Sequence, residues 1–271
     1  MGPDHTSLDG YHLRSEPYYL STGIEIDVFE AAYKNRLPVM LKGPTGCGKT
    51  RFVEYMAWRL QRPLVTIACH EDMTASDLVG RWLLDENGTQ WHDGPLTLAV
   101  RHGGICYLDE VVEARQDTTV VIHPLTDNRR ILPLEKRGEL IQAHPEFWLV
   151  ISYNPGYQSA VKDLKESTKQ RFVALDFRYP QEANEAEIIM KESLLSRNES
   201  FRLVSIAQAC RRLVGHGLNE GASTRTLINA GRLIQAGLSV ADACDVAIVM
   251  PLTDDIQIRE ALRDAISAHL A

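Results

Sequence analysis

Residues 43–50 read Gly43-Pro44-Thr45-Gly46-Cys47-Gly48-Lys49-Thr50, and this segment decides the fold of the 271-residue chain. It fits the pattern G-x-x-x-x-G-K-[ST], in which glycines let the backbone bend around an anion and successive N–H groups point at phosphate oxygens. We expect Lys49 to reach the β- and γ-phosphates and the Thr50 hydroxyl to bind Mg²⁺. An apolar run at 38–41 precedes the motif and a helical pattern at 51–60 follows it, which a chance glycine-rich turn would not explain. The whole segment, Cys47 included, is therefore predicted to bind ATP.

Four more short apolar runs predict the strands of a parallel sheet. They lie at 64–68, 104–108, 148–152 and 173–177, and each is nearly continuous and contains β-branched or aromatic residues. Continuous apolar runs are typical of strands buried on both faces of a parallel sheet. Helical stretches lie between several of them, so the pattern predicts an α/β fold with a five-stranded parallel sheet covered by helices, an αβα sandwich.

Two inserts that read as hairpins interrupt this alternation. The first has strand patterns at 82–85 and 89–92 around Asn87-Gly88, which is a strong hairpin signal. The second has strand patterns at 131–134 and 139–142 around Lys136-Arg137-Gly138, and Pro133 confines its strand to an edge. The inserts are predicted to span about 81–93 and 130–143.

The character of the chain changes after about residue 180. Helical patterns at 182–195, 205–214, 223–236 and 256–270, with a further candidate at 239–249, follow one another without a convincing strand. We therefore predict two domains, a nucleotide-binding αβα domain at 1–185 and a small all-α lid at 186–271.

Composition limits the kind of protein this chain can be. The hydrophobic and charged fractions, 44% and 24%, are ordinary for a globular protein, and five cysteines without close pairing fit reduced thiols. No apolar run approaches a membrane span and the N-terminus lacks a secretory signal pattern, which predicts a cytoplasmic protein. The net charge of −7 argues against a general nucleic-acid binder, because phosphate contacts need a basic face.

A second motif supplies two adjacent carboxylates. Residues 104–108 form an apolar strand pattern that ends in Asp109 and Glu110. Taken alone, the pair would fit an ordinary strand-ending turn. Downstream of a P-loop it fits the Walker B arrangement, in which Asp109 holds Mg²⁺ and Glu110 orients and polarises the attacking water.

Three further polar residues are candidates for contacts with the phosphates. Asn154 follows the strand at 148–152, where it fits a contact to the γ-phosphate or water as well as a turn-forming Asn-Pro. Arg171 lies just before the last strand and Arg225 opens a helix of the second domain. Surface arginines would look the same, but phosphoryl transfer needs a planar, always-charged cation to stabilise developing charge.

Together these residues resemble the AAA+ ATPases, and within them the MoxR group. The resemblance identifies Asn154 as sensor 1, Arg171 as the arginine finger and Arg225 as sensor 2. It also identifies the two hairpins as the helix-2 and pre-sensor-1 inserts. Longer stretches at 41–54, 75–81, 93–97, 112–117 and 154–158 resemble the CbbQ/NirQ/NorQ subfamily, and the CbbQ branch most of all. The match runs from about Glu16 to the C-terminus.

The resemblance implies an ATP-hydrolysing motor that forms a ring, usually a hexamer. Arg171 would act in trans on the nucleotide of the neighbouring subunit, and Arg225 would act in cis from the lid. The CbbQ branch works with a von Willebrand A-domain partner, CbbO, as a Rubisco activase that releases tight-binding sugar phosphates. The NirQ/NorQ branch, which is the alternative within the subfamily, instead matures nitric oxide reductase or nitrite reductase systems.

Two alternatives share the ATPase core. One is a nucleic-acid motor or clamp loader, for which the basic cluster Arg129, Arg130, Lys136 and Arg137 could line a pore. The acidic total and the lack of a recognisable nucleic-acid module weigh against it. The other is a simple phosphate-transfer enzyme, which the helical lid and paired hairpins suit less well than they suit a motor that moves a protein.

Overall fold

The computed structural model of the protein describes residues 7–85, 88–155, 164–215 and 217–269. The chain divides into two compact units, one formed by Met1–Lys42 with Lys49–Asp176 and the other by Gly43–Gly48 with Phe177–Ala271. Some predicted features lie outside the described residues, namely Asn87 of the first hairpin turn, 156–158 of the subfamily stretch and residue 270 of the last helix. The domain boundary at 185/186 stays a prediction.

The first unit contains all the strands assigned in the described residues. They are β1 (Val39–Lys42), β2 (Leu64–Ala68), β3 (Gly80–Asp85), β4 (Gly88–Asp93), β5 (Ile105–Asp109), β6 (Ile131–Leu134), β7 (Glu139–Gln142), β8 (Trp148–Tyr153) and β9 (Val173–Asp176). Its α-helices are α1 (Glu25–Lys34), α2 (Lys49–Arg59), α3 (Ala75–Val79), α4 (Pro95–His102), α5 (Gln116–Val120) and α6 (Glu166–Lys169).

The five predicted strands form one parallel sheet in the order β2-β5-β8-β1-β9, which confirms the predicted fold. Burial follows from this order. Every residue of the inner strand β8 is buried, whereas the edge strand β2 exposes Thr66 and Ala68. The other edge strand, β9, has two half-buried and two exposed residues. The expectation of strands buried on both faces therefore holds for the centre of the sheet and is wrong at its edges. Because the strands are parallel, the carboxyl ends of β1, β5 and β8 meet at one edge.

Both predicted hairpins are present as two-stranded antiparallel sheets. β3 pairs with β4 so that Trp82 lies opposite Trp91, and β6 pairs with β7 so that Pro133 lies opposite Leu140. A two-stranded sheet consists only of edges, which is why a proline is tolerated there.

The second unit is helical. Its helices are α7 (Glu182–Ser193), α8 (Arg197–Arg211), α9 (Thr224–Gln235), α10 (Val240–Cys244), α11 (Met250–Leu252) and α12 (Ile256–Ala268), with a π-helical turn at Asp245–Val249 between α10 and α11. The predicted start of α8 at Ser205 is wrong. The Ser196 hydroxyl accepts from the Glu199 N–H and the Glu199 carboxylate accepts from the Ser196 N–H, a capping box that begins the helix at Arg197.

Each unit has its own buried apolar cluster. In the first unit, residues of the inner strands such as Leu108 and Ile151 pack with Leu96 and Val100 of α4. In the second unit, Leu203 and Leu227 join α8 and α9 in a separate cluster.

All five cysteines are buried thiols, as predicted. Burial raises the pKa of Cys69 to about 12, so this thiol stays protonated at neutral pH. Among the described helices none has the length and apolar character needed to cross a membrane.

Candidate nucleotide site

The phosphate loop leaves the carboxyl end of β1 and leads into α2. Gly46 and Gly48 have φ values of 68° and 103°, a region that glycine enters without the steric cost other residues incur. A Cβ on Gly46 would lie 2.7 Å from Ser223 Cβ within the second unit, so the loop also needs glycine there for close approach. Cys47 is buried in this turn at 7% exposure, in keeping with a small side chain that fills the loop.

Asp109 lies at the end of β5 in the first unit, among hydroxyl groups. Tyr107 and Ser152 donate to its Oδ1 at 2.7 and 2.5 Å, and Thr50 donates to its Oδ2 at 3.2 Å. Burial, followed by the Asp109 charge, raises the pKa of Tyr107, so the phenol remains a donor. These donors fix the carboxylate without neutralising its charge.

Glu110 follows in a left-handed backbone conformation, with φ 53° and ψ 49°. Such a conformation is costly for a non-glycine residue and tends to occur at functional sites. Its N–H donates to Ser152 Oγ at 3.1 Å, so one hydroxyl holds both members of the acidic pair. Burial raises the pKa of Glu110; the positive charge of Lys49 acts in the opposite direction, and the negative charge of Asp109 adds to the rise.

Lys49 and Asn154 also contact the Glu110 carboxylate. Lys49 is 5% exposed at the start of α2, and its Nζ lies 3.7 Å from Glu110 Oε1. Asn154 is buried just after β8, and its backbone N–H donates to the Glu110 carboxylate. The first unit therefore gathers five of the predicted site residues in one place: Lys49, Thr50, Asp109, Glu110 and Asn154.

The two predicted arginines have other surroundings. Arg171 pairs with Asp127, with Nη1 3.4 Å from Oδ2, and its side chain is one-third exposed. Arg225 is exposed at the start of α9, and its Cβ lies 3.4 Å from the place a Cβ on Gly46 would occupy. Within the second unit Arg225 is thus beside the turn of the phosphate loop.

The donor set fits the Mg²⁺ that the fold implies. Thr50 Oγ1 and Asp109 Oδ2, 3.2 Å apart, are the hard oxygen ligands that this ion prefers. Mg²⁺ in nucleotide sites is usually held by one or two carboxylates together with phosphates and water. In the part of the chain that the structure describes, no group of three or more His, Cys, Asp or Glu side chains could hold a metal on its own.

The sequence reasoning missed Tyr107 and Ser152. Tyr107 precedes Asp109 by two residues on β5, so strand alternation places both on one face of the sheet. Ser152 lies near the end of the neighbouring strand β8, and Leu108 pairs with Ile151 just before it. A search for polar residues near the ends of predicted parallel strands would have found both.

Two family models match most of the chain. One, described as AAA domain (dynein-related subfamily), matches residues 38–172. The other, described as CbbQ/NirQ/NorQ C-terminal, matches residues 185–269.

Whole proteins of similar length give the same result. The chain is 65% identical to the protein CbbQ of Hydrogenophilus thermoluteolus, over 94% of this chain and 96% of that protein. It is 59% identical to the denitrification regulatory protein NirQ of Pseudomonas aeruginosa, over 94% and 98% of the two chains. It is 55% identical to the protein NorQ of Paracoccus denitrificans, over 97% and 98%.

Solved structures support the fold. NtrX from Brucella abortus, in complex with ADP, matches with a TM-score of 0.54 at 18% identity, over 93% of this chain and 62% of that chain. A variant of RuvB from Thermotoga maritima matches with a TM-score of 0.54 at 15% identity, over 96% and 71%. At these identities the likeness concerns the fold alone.

Proposed function

The chain belongs to the CbbQ/NirQ/NorQ family of AAA ATPases, and we propose that its ATP hydrolysis drives a CbbQ-type Rubisco activase. In this proposal the motor works with a von Willebrand A-domain partner and releases tight-binding sugar phosphates from inhibited Rubisco. The observation that favours this branch is the higher identity to the CbbQ protein than to the NirQ and NorQ proteins.

Each site residue then has a defined task. The loop N–H groups and Lys49 bind the phosphates, while Thr50 and Asp109 are the ligands for Mg²⁺. When bound, the metal would neutralise charge that develops on the transferred phosphoryl group. Glu110 orients and polarises the attacking water, and Asn154 contacts that water or the γ-phosphate.

The two arginines are proposed to act on the nucleotides of different subunits in a ring. Arg171 is proposed to act in trans on the neighbour's γ-phosphate, and its partial exposure and long ion pair with Asp127 suit a side chain that exchanges partners. Arg225 is proposed to act in cis, which its place beside Gly46 supports. The ring is taken to be hexameric, as the family implies.

The proposal is tested with purified chain, von Willebrand partner and Rubisco inhibited by a tight-binding sugar phosphate. We expect ATP to restore carboxylase activity. The Glu110→Gln variant should bind ATP as the parent does but lose nearly all hydrolysis and reactivation, because its amide cannot polarise water.

Glu146→Gln is the matched control, since Glu146 precedes the amino end of β8 and pairs with Arg62. It should hydrolyse ATP at the parent rate. Parent-like turnover by Glu110→Gln would exclude the assigned role of Glu110. Stimulation of ATP hydrolysis by a nitric oxide reductase system, and not by Rubisco, would support the NorQ/NirQ alternative.

The nucleic-acid alternative is disfavoured by the surroundings of its basic cluster. Arg129 is bound by Asp127 and Arg137 pairs with Glu139, so both charges already have acidic partners. Arg130 donates to the carbonyl oxygens of His144 and Phe147. A cluster used in this way offers little positive surface to a phosphate backbone.

A further inference from the structure

The peptide between Thr45 and Gly46 is held by a tyrosine of the second unit. The Tyr179 hydroxyl donates to the Thr45 carbonyl oxygen at 3.2 Å. That carbonyl and the Gly46 N–H belong to one planar trans peptide, so they point in opposite directions. Holding the carbonyl on Tyr179 therefore turns the Gly46 N–H away from the tyrosine. In a phosphate loop this N–H is one of the groups that cradle the nucleotide phosphates.

Tyr179 is itself held by an arginine. The guanidinium carbon of Arg211 lies 4.0 Å from the centroid of the Tyr179 ring, within cation–π distance. Burial raises the pKa of Tyr179 to about 12, so its hydroxyl keeps the proton that it donates.

Arg211 is fixed by a buried carboxylate. Its two terminal nitrogens donate to the two oxygens of Glu185 at 2.7 and 2.6 Å, and Glu185 is fully buried. Its Nε donates to the Ala222 carbonyl oxygen at 2.8 Å. Two parallel bonds to a planar carboxylate fix both the position and the plane of the guanidinium.

The same carboxylate holds the segment that carries Arg225. The Thr224 hydroxyl donates to Glu185 Oε1 at 2.6 Å, and Ser223 caps α9 by accepting from the Thr226 N–H. Ser223 and Arg225 are the residues that a Cβ on Gly46 would meet. One buried ion pair thus fixes both the tyrosine on the loop carbonyl and the start of the helix beside the loop.

We infer that Tyr179, Arg211 and Glu185 are positioning residues for nucleotide binding. They orient the Gly46 N–H toward the phosphates and hold Arg225 beside the phosphate loop. This role rests on the proposed function of the loop, and it adds residues that no sequence motif marked.

The test measures the affinity of the full chain for a fluorescent ADP analogue, together with kcat and KM for ATP. Tyr179→Phe removes the hydroxyl and keeps the ring on Arg211, so we expect about 3- to 10-fold weaker ADP binding and a similar rise in KM. The thermal unfolding midpoint should stay near that of the parent, and kcat should change by less than about 2-fold. Arg211→Lys cannot make the two parallel bonds and should weaken binding at least as much.

Tyr33→Phe is the matched control, because Tyr33 is half-buried in the first unit and packs on Trp148 at the amino end of β8. It should bind the ADP analogue as the parent does. Parent affinity in Tyr179→Phe, or an Arg211→Lys chain that loses stability but keeps its affinity, would overturn the inference alone. A parent chain that binds no nucleotide would overturn the proposed function and this inference together.

Discussion

Two carboxylates, one in each unit, lie in hydrogen-bond networks that differ in charge. In the second unit, Glu185 receives both terminal nitrogens of Arg211 as well as the Thr224 hydroxyl, so its negative charge is paired. In the first unit, the side-chain donors that the structure shows on Asp109 are the neutral hydroxyls of Thr50, Tyr107 and Ser152.

The difference separates a carboxylate that is paired with a cation from the carboxylate that is proposed to bind Mg²⁺. A buried charge that is paired and fully hydrogen-bonded holds its surroundings in one arrangement. A carboxylate oriented by neutral donors keeps its charge available, which is what a cation requires. Residue type alone would not separate Glu185 from Asp109, but their partners do.

The largest expected effect is the loss of protein stability when Glu185 is removed from its network. Glu185→Ala removes the partner of a buried guanidinium, and breaking one side of a buried pair costs about 3–5 kcal/mol. We expect the free energy of unfolding to fall by this amount in urea titrations followed by circular dichroism. Glu187→Ala, an exposed position on the same helix, should cost less than about 1 kcal/mol. Equal losses in the two variants would show that the Glu185 network is not the source of the stability.

A substitution in the Asp109 network should have the opposite outcome, with a small change in stability and a large loss of activity. Asp109→Asn keeps an oxygen that accepts from Tyr107 and Ser152 and removes a negative charge beside Glu110, so the free energy of unfolding should change by less than about 1 kcal/mol. ATP hydrolysis should fall by at least about 100-fold, because the proposed Mg²⁺ would lose its carboxylate ligand. Steady-state ATPase assays with a Mg²⁺ titration check this, and a stability loss as large as that of Glu185→Ala would remove the distinction.

The elements that were predicted correctly from the sequence depend on local patterns. The five strands and both hairpins were found because continuous apolar runs and turn residues are visible within a few positions. The acidic pair was assigned because the P-loop lies upstream in the same chain. These features depend on neighbours in sequence or on a motif of fixed spacing.

The features that were missed depend on neighbours in space. Ser152 is 43 residues from Asp109 along the chain, and only the pairing of β5 with β8 brings them together. Tyr179 and Thr45 are 134 residues apart. The start of α8 is a different case, since the Ser196–Glu199 capping box was visible in the sequence and was overlooked. The exposure of β2 and β9 required the strand order, which single runs do not contain.

The smallest expected effect concerns His123, whose surroundings disfavour its charged form. His123 lies 3.0 Å from Thr168 Oγ1 through its Nε2, and its pKa is lowered by burial first and then by the charges of Arg171 and Lys165. Its pKa in the folded chain is therefore below that of the unfolded chain, near 6.5. As pH falls below 6.5 the unfolded chain binds more protons, so the parent should lose stability with a slope of at most about 1.4 kcal/mol per pH unit.

His123→Gln should flatten that slope between pH 5.5 and 6.5 in urea titrations. Added salt should reduce the difference between the two proteins only in part, because salt screens the two cations but not burial. Parallel pH profiles for parent and variant would show that the pKa of His123 is the same in the folded and the unfolded chain.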